Sequence, residues 1–122
     1  MYDEFLNIAR QEIQAELNDL ESIISRCNND EHIFQNSKEI EAHLHKIKGL
    51  APMMDQEKVG QIAKILDVIM KHIVEHGILT GAYKFTLESI NDMKNIFNGE
   101  QSFFADGFAE RARITFTQIS SW

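Results

Sequence analysis

The chain has 122 residues, 43% of them hydrophobic and 25% charged, with twelve Lys and Arg against nineteen Asp and Glu for a net charge of −7. That is the balance of one ordinary globular domain, since about two-thirds of the unfolded surface can be buried at this length; a disordered tail and a disulfide mini-protein are excluded. The acidic balance leaves no basic footprint for duplex nucleic acid, and no apolar run approaches the ~20 residues of a membrane span. Cys27 is the single cysteine, so no intrachain disulfide forms and a reducing compartment is expected. Met1-Tyr2-Asp3-Glu4 is acidic where a secretory signal would begin basic. A soluble, cytoplasmic domain without nucleic-acid or membrane partners is expected.

One proline and few glycines suggest long helices between short connections. Over residues 3–27, Phe5, Leu6, Ile8, Ala9, Ile13, Leu17, Leu20, Ile23 and Ile24 draw a stripe at helical spacing, and Asn28-Asn29-Asp30 reads as a turn. A second helix is predicted over 37–54, capped by Ser37, with Ile40, Leu44, Ile47, Ala51 and Met54 on one face. Pro52 suits its end. Asp55 caps a third over 56–76, with Val59, Ile62, Leu66, Ile69 and Ile73 inward and Gly77 as its stop. The fourth covers 80–98, with Tyr83, Leu87, Ile90, Met93 and Phe97 inward. Residues 102–120 fit a fifth helix through Phe104, Phe108, Ala112 and Ile119. Ile114 to Gln118 alternates like a strand, but a lone strand would have no partner. Met53, Met54 and Met70 are expected as core filler. The expected fold is an all-α, up-and-down four-helix bundle with a fifth C-terminal helix, a single domain over 1–122.

Among five histidines, His45 stands out by its C-terminal neighbours, Lys46-Ile47-Lys48-Gly49-Leu50-Ala51. Residues three and four further along a helix share its face. Lys48 therefore sets an ammonium beside the imidazole, and Gly49 leaves that side of the ring open. A glycine inside a helix costs about 1 kcal/mol relative to alanine, so its presence asks for a reason. Access by a large partner supplies one. If helices two and three turn back at Asp55-Gln56, positions at equal distance from the turn face each other. His45 then meets Asp67, and Lys48 meets Lys64. Gly60, Lys64, Asp67 and Lys71 share a polar stripe. A carboxylate accepting from Nδ1–H would leave Nε2 as nucleophile, and lysines would compensate phosphoryl oxygens. No glycine-rich phosphate loop is present, so the phosphoryl group would come from elsewhere.

His45-Lys46-Ile47-Lys48-Gly49-Leu50-Ala51 resembles the H-x-x-K-G-x-A signature of histidine phosphotransfer domains, and the apolar pattern continues through Met54, Val59, Ile62, Ala63, Leu66 and Asp67. The whole chain is similar, more loosely, to the N-terminal phosphoacceptor domain of chemotaxis histidine kinases of the CheA type. The resemblance implies phosphorylation of His45, phosphate compensation by Lys48, and a hydrogen-bonding acid at Asp67. It also implies a kinase ATP-binding domain and a response-regulator receiver domain as partners, with no cofactor and no autonomous catalysis. Three positions depart from the family: Asp55 stands where a glycine is usual at the turn, Lys64 where chemotaxis kinases carry histidine, and Asp67 where Glu is usual. The shorter Asp67 reaches the ring only if the helices approach closely or a water bridges the gap.

Other readings compete. The histidine is inert in a helical interaction or scaffold domain. His72-Ile73-Val74-Glu75-His76 matches the H-x-x-E-H pattern of a zinc hydrolase, with Glu88 as a candidate third ligand, although histidines at a helix C-terminus also suit its dipole. His43 reads as a bundle-edge packing residue. Lys46, Lys48, Lys58, Lys64 and Lys71 make helices two and three the basic side, a solvated face or a docking surface for an acidic receiver site. Phe103, Phe104 and Trp122 read as an edge exposed by excision from a longer kinase.

Overall fold

The computed structural model describes residues 2–101 and 105–122, and Phe103 and Phe104 lie outside them. The described residues contain six α-helices and no strand: α1 (Tyr2–Ser25), α2 (Asp30–Gln35), α3 (Ser37–Leu50), α4 (Glu57–His76), α5 (Ala82–Phe97) and α6 (Phe108–Thr115), with a 3-10 turn over Ala51–Met54 between α3 and α4. No helix among them is long and apolar enough to cross a membrane.

The inward positions expected of the second and third helices are all buried: Ile40, Leu44, Ile47, Ala51 and Met54 on the α3 side, and Val59, Ile62, Leu66, Ile69 and Ile73 on α4. They join Ile13, Leu17 and Leu20 of α1 and Ile90, Met93 and Phe97 of α5 in one continuous core. Burying a side chain of this size is worth ~1.5–3 kcal/mol, which outweighs the weak intrinsic propensity of each helix. Among the described residues the packing of α3 on α4 is the most extensive; α1 packs on α3, α5 packs on α4, and α1 and α5 meet each other. Gly60 allows this closeness at the hairpin tip: a Cβ there would stand 3.3 Å from the Pro52 ring.

Local details differ from the sequence expectation where polar side chains had alternatives. Asn28-Asn29-Asp30 opens a short helix rather than a simple turn, because Asn29 accepts from the His32 amide and so caps α2. Asp30 then reaches across the chain, its carboxylate accepting from the amides of Gly81 and Tyr83 at 2.9 and 2.7 Å. A distant acid thus satisfies the free N–H groups of α5, whose own Gly81 offers no side-chain cap. Ser37 does not cap α3; its hydroxyl donates to the Phe34 carbonyl. Asp55 does not cap α4; it takes a left-handed conformation, φ 56°, that closes the 3-10 turn. Met54 and Met70 are core residues, whereas Met53 is exposed. Phe5 and Ile8 are exposed too, although Leu6 and Ala9 of the same turns pack on the core.

The fifth helix is shorter than 102–120. Phe108 and Ala112 are buried within α6, and the chain leaves helix at Phe116, whose ring meets Phe85 edge-on at 5.1 Å. Ile119 is buried beyond the helix, and Trp122 packs against the core instead of forming an open edge.

Candidate functional site

The α3–α4 hairpin brings the expected residues together. His45 is well exposed, with 62% of its side chain accessible, and its Nδ1 lies 3.9 Å from Asp67 Oδ2. Beside it, Gly49 has open space where a Cβ would be, with no other atom within 4 Å. Ala51 is buried at the hairpin end. An open depression of about 640 Å³ runs from His45, Lys46, Gly49 and Leu50 to Glu12, Ala15 and Glu16 of α1. Lys48 and Lys64 together line a separate, smaller hollow near Gly60 and Pro52.

Asp67 departs most from the expectation. The supposed polar stripe on α4 is broken: Lys64 and Lys71 are exposed, but Gly60 and Asp67 are buried, with Asp67 only 1% accessible. A buried charge must be paired. Lys48 donates to its Oδ2 at 2.9 Å from α3, and Lys71 approaches the same atom at 3.1 Å from one turn along α4. Burial pushes the Asp67 carboxyl up, but the two ammonium groups outweigh that and hold it below the ordinary aspartate value. The same pairing lifts Lys71 above its ordinary value. The separation of 3.9 Å leaves no direct hydrogen bond between Asp67 and the imidazole.

Sequence reasoning missed Glu41. It lies one turn before His45 on α3, and a carboxylate oxygen of Glu41, a ring nitrogen of His45 and a carboxylate oxygen of Asp67 all lie within 4.8 Å of one another. Its spacing of four from His45 was the available signal. Partial burial raises the Glu41 carboxyl, helped by the negative charge of Asp67 and by side-chain hydrogen bonding with it, while Lys71 and His45 oppose the rise.

On the far side of α3 the geometry is different. His43 Nδ1 is hydrogen bonded to Glu16 of α1, Asp19 lies 4.0 Å away, and Lys46 stands 3.4 Å from the other Glu16 oxygen. His43 is a packing residue whose ring is committed.

The H-x-x-E-H segment forms the end of α4. The rings of His72 and His76 are 4.4 Å apart, and His76 Nε2 lies 3.8 Å from Glu75. Burial and the neighbouring His76 lower the His72 value. Among the described residues, three potential metal ligands gather at Glu16, Asp19 and His43 and at Glu41, His45 and Asp67, and neither cluster includes His72, His76 or Glu88.

Comparison with protein-family models, with curated proteins and with solved structures gave no match.

Proposed function

We propose that the chain is a histidine phosphotransfer module, built on an up-and-down arrangement of α1, α3, α4 and α5 with α6 added at one end. In this reading His45 takes a phosphoryl group from a kinase ATP-binding domain and passes it to the aspartate of a response-regulator receiver domain. One observation carries it: an exposed imidazole without a hydrogen bond stands beside an open glycine and within reach of two lysines gathered by one buried aspartate.

The arrangement supports the chemistry directly. Nε2 of a neutral ring attacks phosphorus as the bond from phosphorus to the donor oxygen breaks and the donor leaves with the electron pair. The ring keeps its Nδ1 proton and becomes positively charged, so a carboxylate near Nδ1 stabilises the product. Lys48, 31% accessible, and Lys71, 52% accessible, need only swing outward to meet the phosphoryl oxygens. Lys64 adds charge at the rim. The missing Cβ of Gly49 lets a bulky donor or acceptor approach in line with Nε2.

The test is incubation with a histidine-kinase catalytic core and ATP, and separately with phosphoramidate, with mass analysis of the product. Acid-labile, base-stable phosphate on His45 is expected. Absence of phosphate from His45 under both donors overturns the proposal.

A further inference from the structure

The buried Asp67 is the acid that height along the hairpin sets opposite His45, yet its nearer oxygen already receives two ammonium groups. Oδ2 is bonded to Lys48 at 2.9 Å and paired with Lys71 at 3.1 Å, while the imidazole stands off at 3.9 Å. The two lone-pair directions of that oxygen are therefore occupied. Asp67 Oδ1 has no partner and is buried. Its short side chain and its two lysines fix Asp67 in place.

Glu41 has the opposite properties. It is only partly buried, it has one more rotatable bond, and it sits four residues before His45 on the same helix. Side chains on a helix lean toward its N-terminus, so the His45 ring tilts back over the turn that carries Glu41. One Glu41 carboxylate oxygen lies within 4.8 Å of a ring nitrogen of His45, and the extra rotatable bond of glutamate gives it the reach to close that gap.

Resting on the phosphotransfer reading, we propose that Glu41, and not Asp67, accepts the Nδ1 proton of His45 and so presents Nε2 as the nucleophile, while Asp67 serves as the store of Lys48 and Lys71. Glu41 is thus a positioning residue acting through His45. The two acids divide tasks that a single carboxylate on the facing helix would otherwise combine. Partial burial and the neighbouring Asp67 raise the Glu41 carboxyl above its ordinary value. When phosphoryl transfer makes the ring cationic, Glu41 is the mobile anion that tracks it.

The experiment reads the ring itself. Nitrogen-15 NMR of the whole chain, held above the histidine titration range, distinguishes Nδ1–H from the Nε2–H form that free imidazole side chains favour. Nδ1–H is expected for wild type and for Asp67→Asn, and a shift toward Nε2–H for Glu41→Ala. Glu41→Gln keeps an oxygen that accepts Nδ1–H but carries no charge. It should keep most of the tautomer while accepting phosphate from phosphoramidate about tenfold more slowly. A purely structural role for Glu41 would not separate these two readouts. A tautomer that changes with Asp67→Asn, or that neither substitution moves, overturns the proposal. If wild-type His45 takes no phosphate at all, the phosphotransfer reading fails, and the tautomer measurement still decides which acid holds the ring.

Discussion

Two histidines lie two residues apart on α3, and the helix turns them to opposite faces. His43 points at α1 and is held by Glu16, an acid whose other oxygen faces Lys46. His45 points past α4 toward Asp67, an acid already committed to Lys48 and Lys71, and its ring makes no hydrogen bond. The two sites share a histidine, two acids and a lysine, yet one is closed and the other open. Composition therefore does not distinguish a packing histidine from a reactive one. The distinction lies in whether the facing acid has spent its lone pairs elsewhere and whether anything covers the ring.

The comparison breaks first at the histidines. His45→Gln should remove all phosphoryl acceptance with little change in melting temperature, because the ring is exposed. His43→Gln should leave acceptance intact and cost on the order of 1–2 kcal/mol of stability through the lost contact with Glu16. Phosphate retained on His43 in the His45→Gln protein would reverse the assignment of the two faces.

Removing one lysine has the next largest effect. Lys48→Ala should slow acceptance from phosphoramidate roughly ten- to a hundredfold, the 1–3 kcal/mol typical of one charge near a transferring group, with Lys71 still in place. A Lys48→Ala protein as dead as His45→Gln would show that Lys48 holds the hairpin together rather than meeting the phosphoryl group.

The committed acid has its own signature in pH. Because the folded-state value of Asp67 lies below the ordinary 3.8, its ion pairs stabilise the fold above that value, and the contribution disappears as pH falls through the lowered one. Thermal unfolding measured from pH 5 downward should show wild type losing stability in this window. Asp67→Asn should start less stable and show a shallower slope. Identical slopes would mean that the lysines do not hold Asp67 ionised.

Much of this was legible in the sequence because it depends on periodicity. The burial of Ile40, Leu44, Ile47, Val59, Ile62, Leu66 and Ile73 comes from spacing alone, and the pairing of His45 with Asp67 comes from counting back from the turn. The features that escaped depend on where polar atoms find partners. Counting places Asp67 at the right height but cannot show that a short acid sinks between helices and draws two lysines after it. Nor does spacing reveal that Asp30 caps α5 from fifty residues away, or that Phe5 and Ile8 stay exposed while Leu6 and Ala9 beside them pack on the core. Glu41 lay within the same i, i+4 rule that singled out Lys48 and Gly49, but on the N-terminal side, the direction in which helix side chains lean.

The smallest effect tests the openness itself. No packing demand accounts for Gly49: it has ordinary helical geometry, and a Cβ there would meet nothing within 4 Å. Alanine should therefore stabilise α3 by about 1 kcal/mol, the usual helical difference between the two residues. The added methyl would stand in the open depression that Gly49 and His45 both line, on the side from which a partner would approach. Phosphoramidate is small enough to pass it, whereas the flat face of a protein domain is not. Gly49→Ala is thus expected to raise the melting temperature and to leave acceptance from phosphoramidate near wild type. It should slow acceptance from a kinase core and transfer to a receiver domain. Protein-to-protein transfer at the wild-type rate in the more stable variant would mean that the glycine keeps no approach clear, and the contrast between the two faces of α3 would then rest on hydrogen bonding alone.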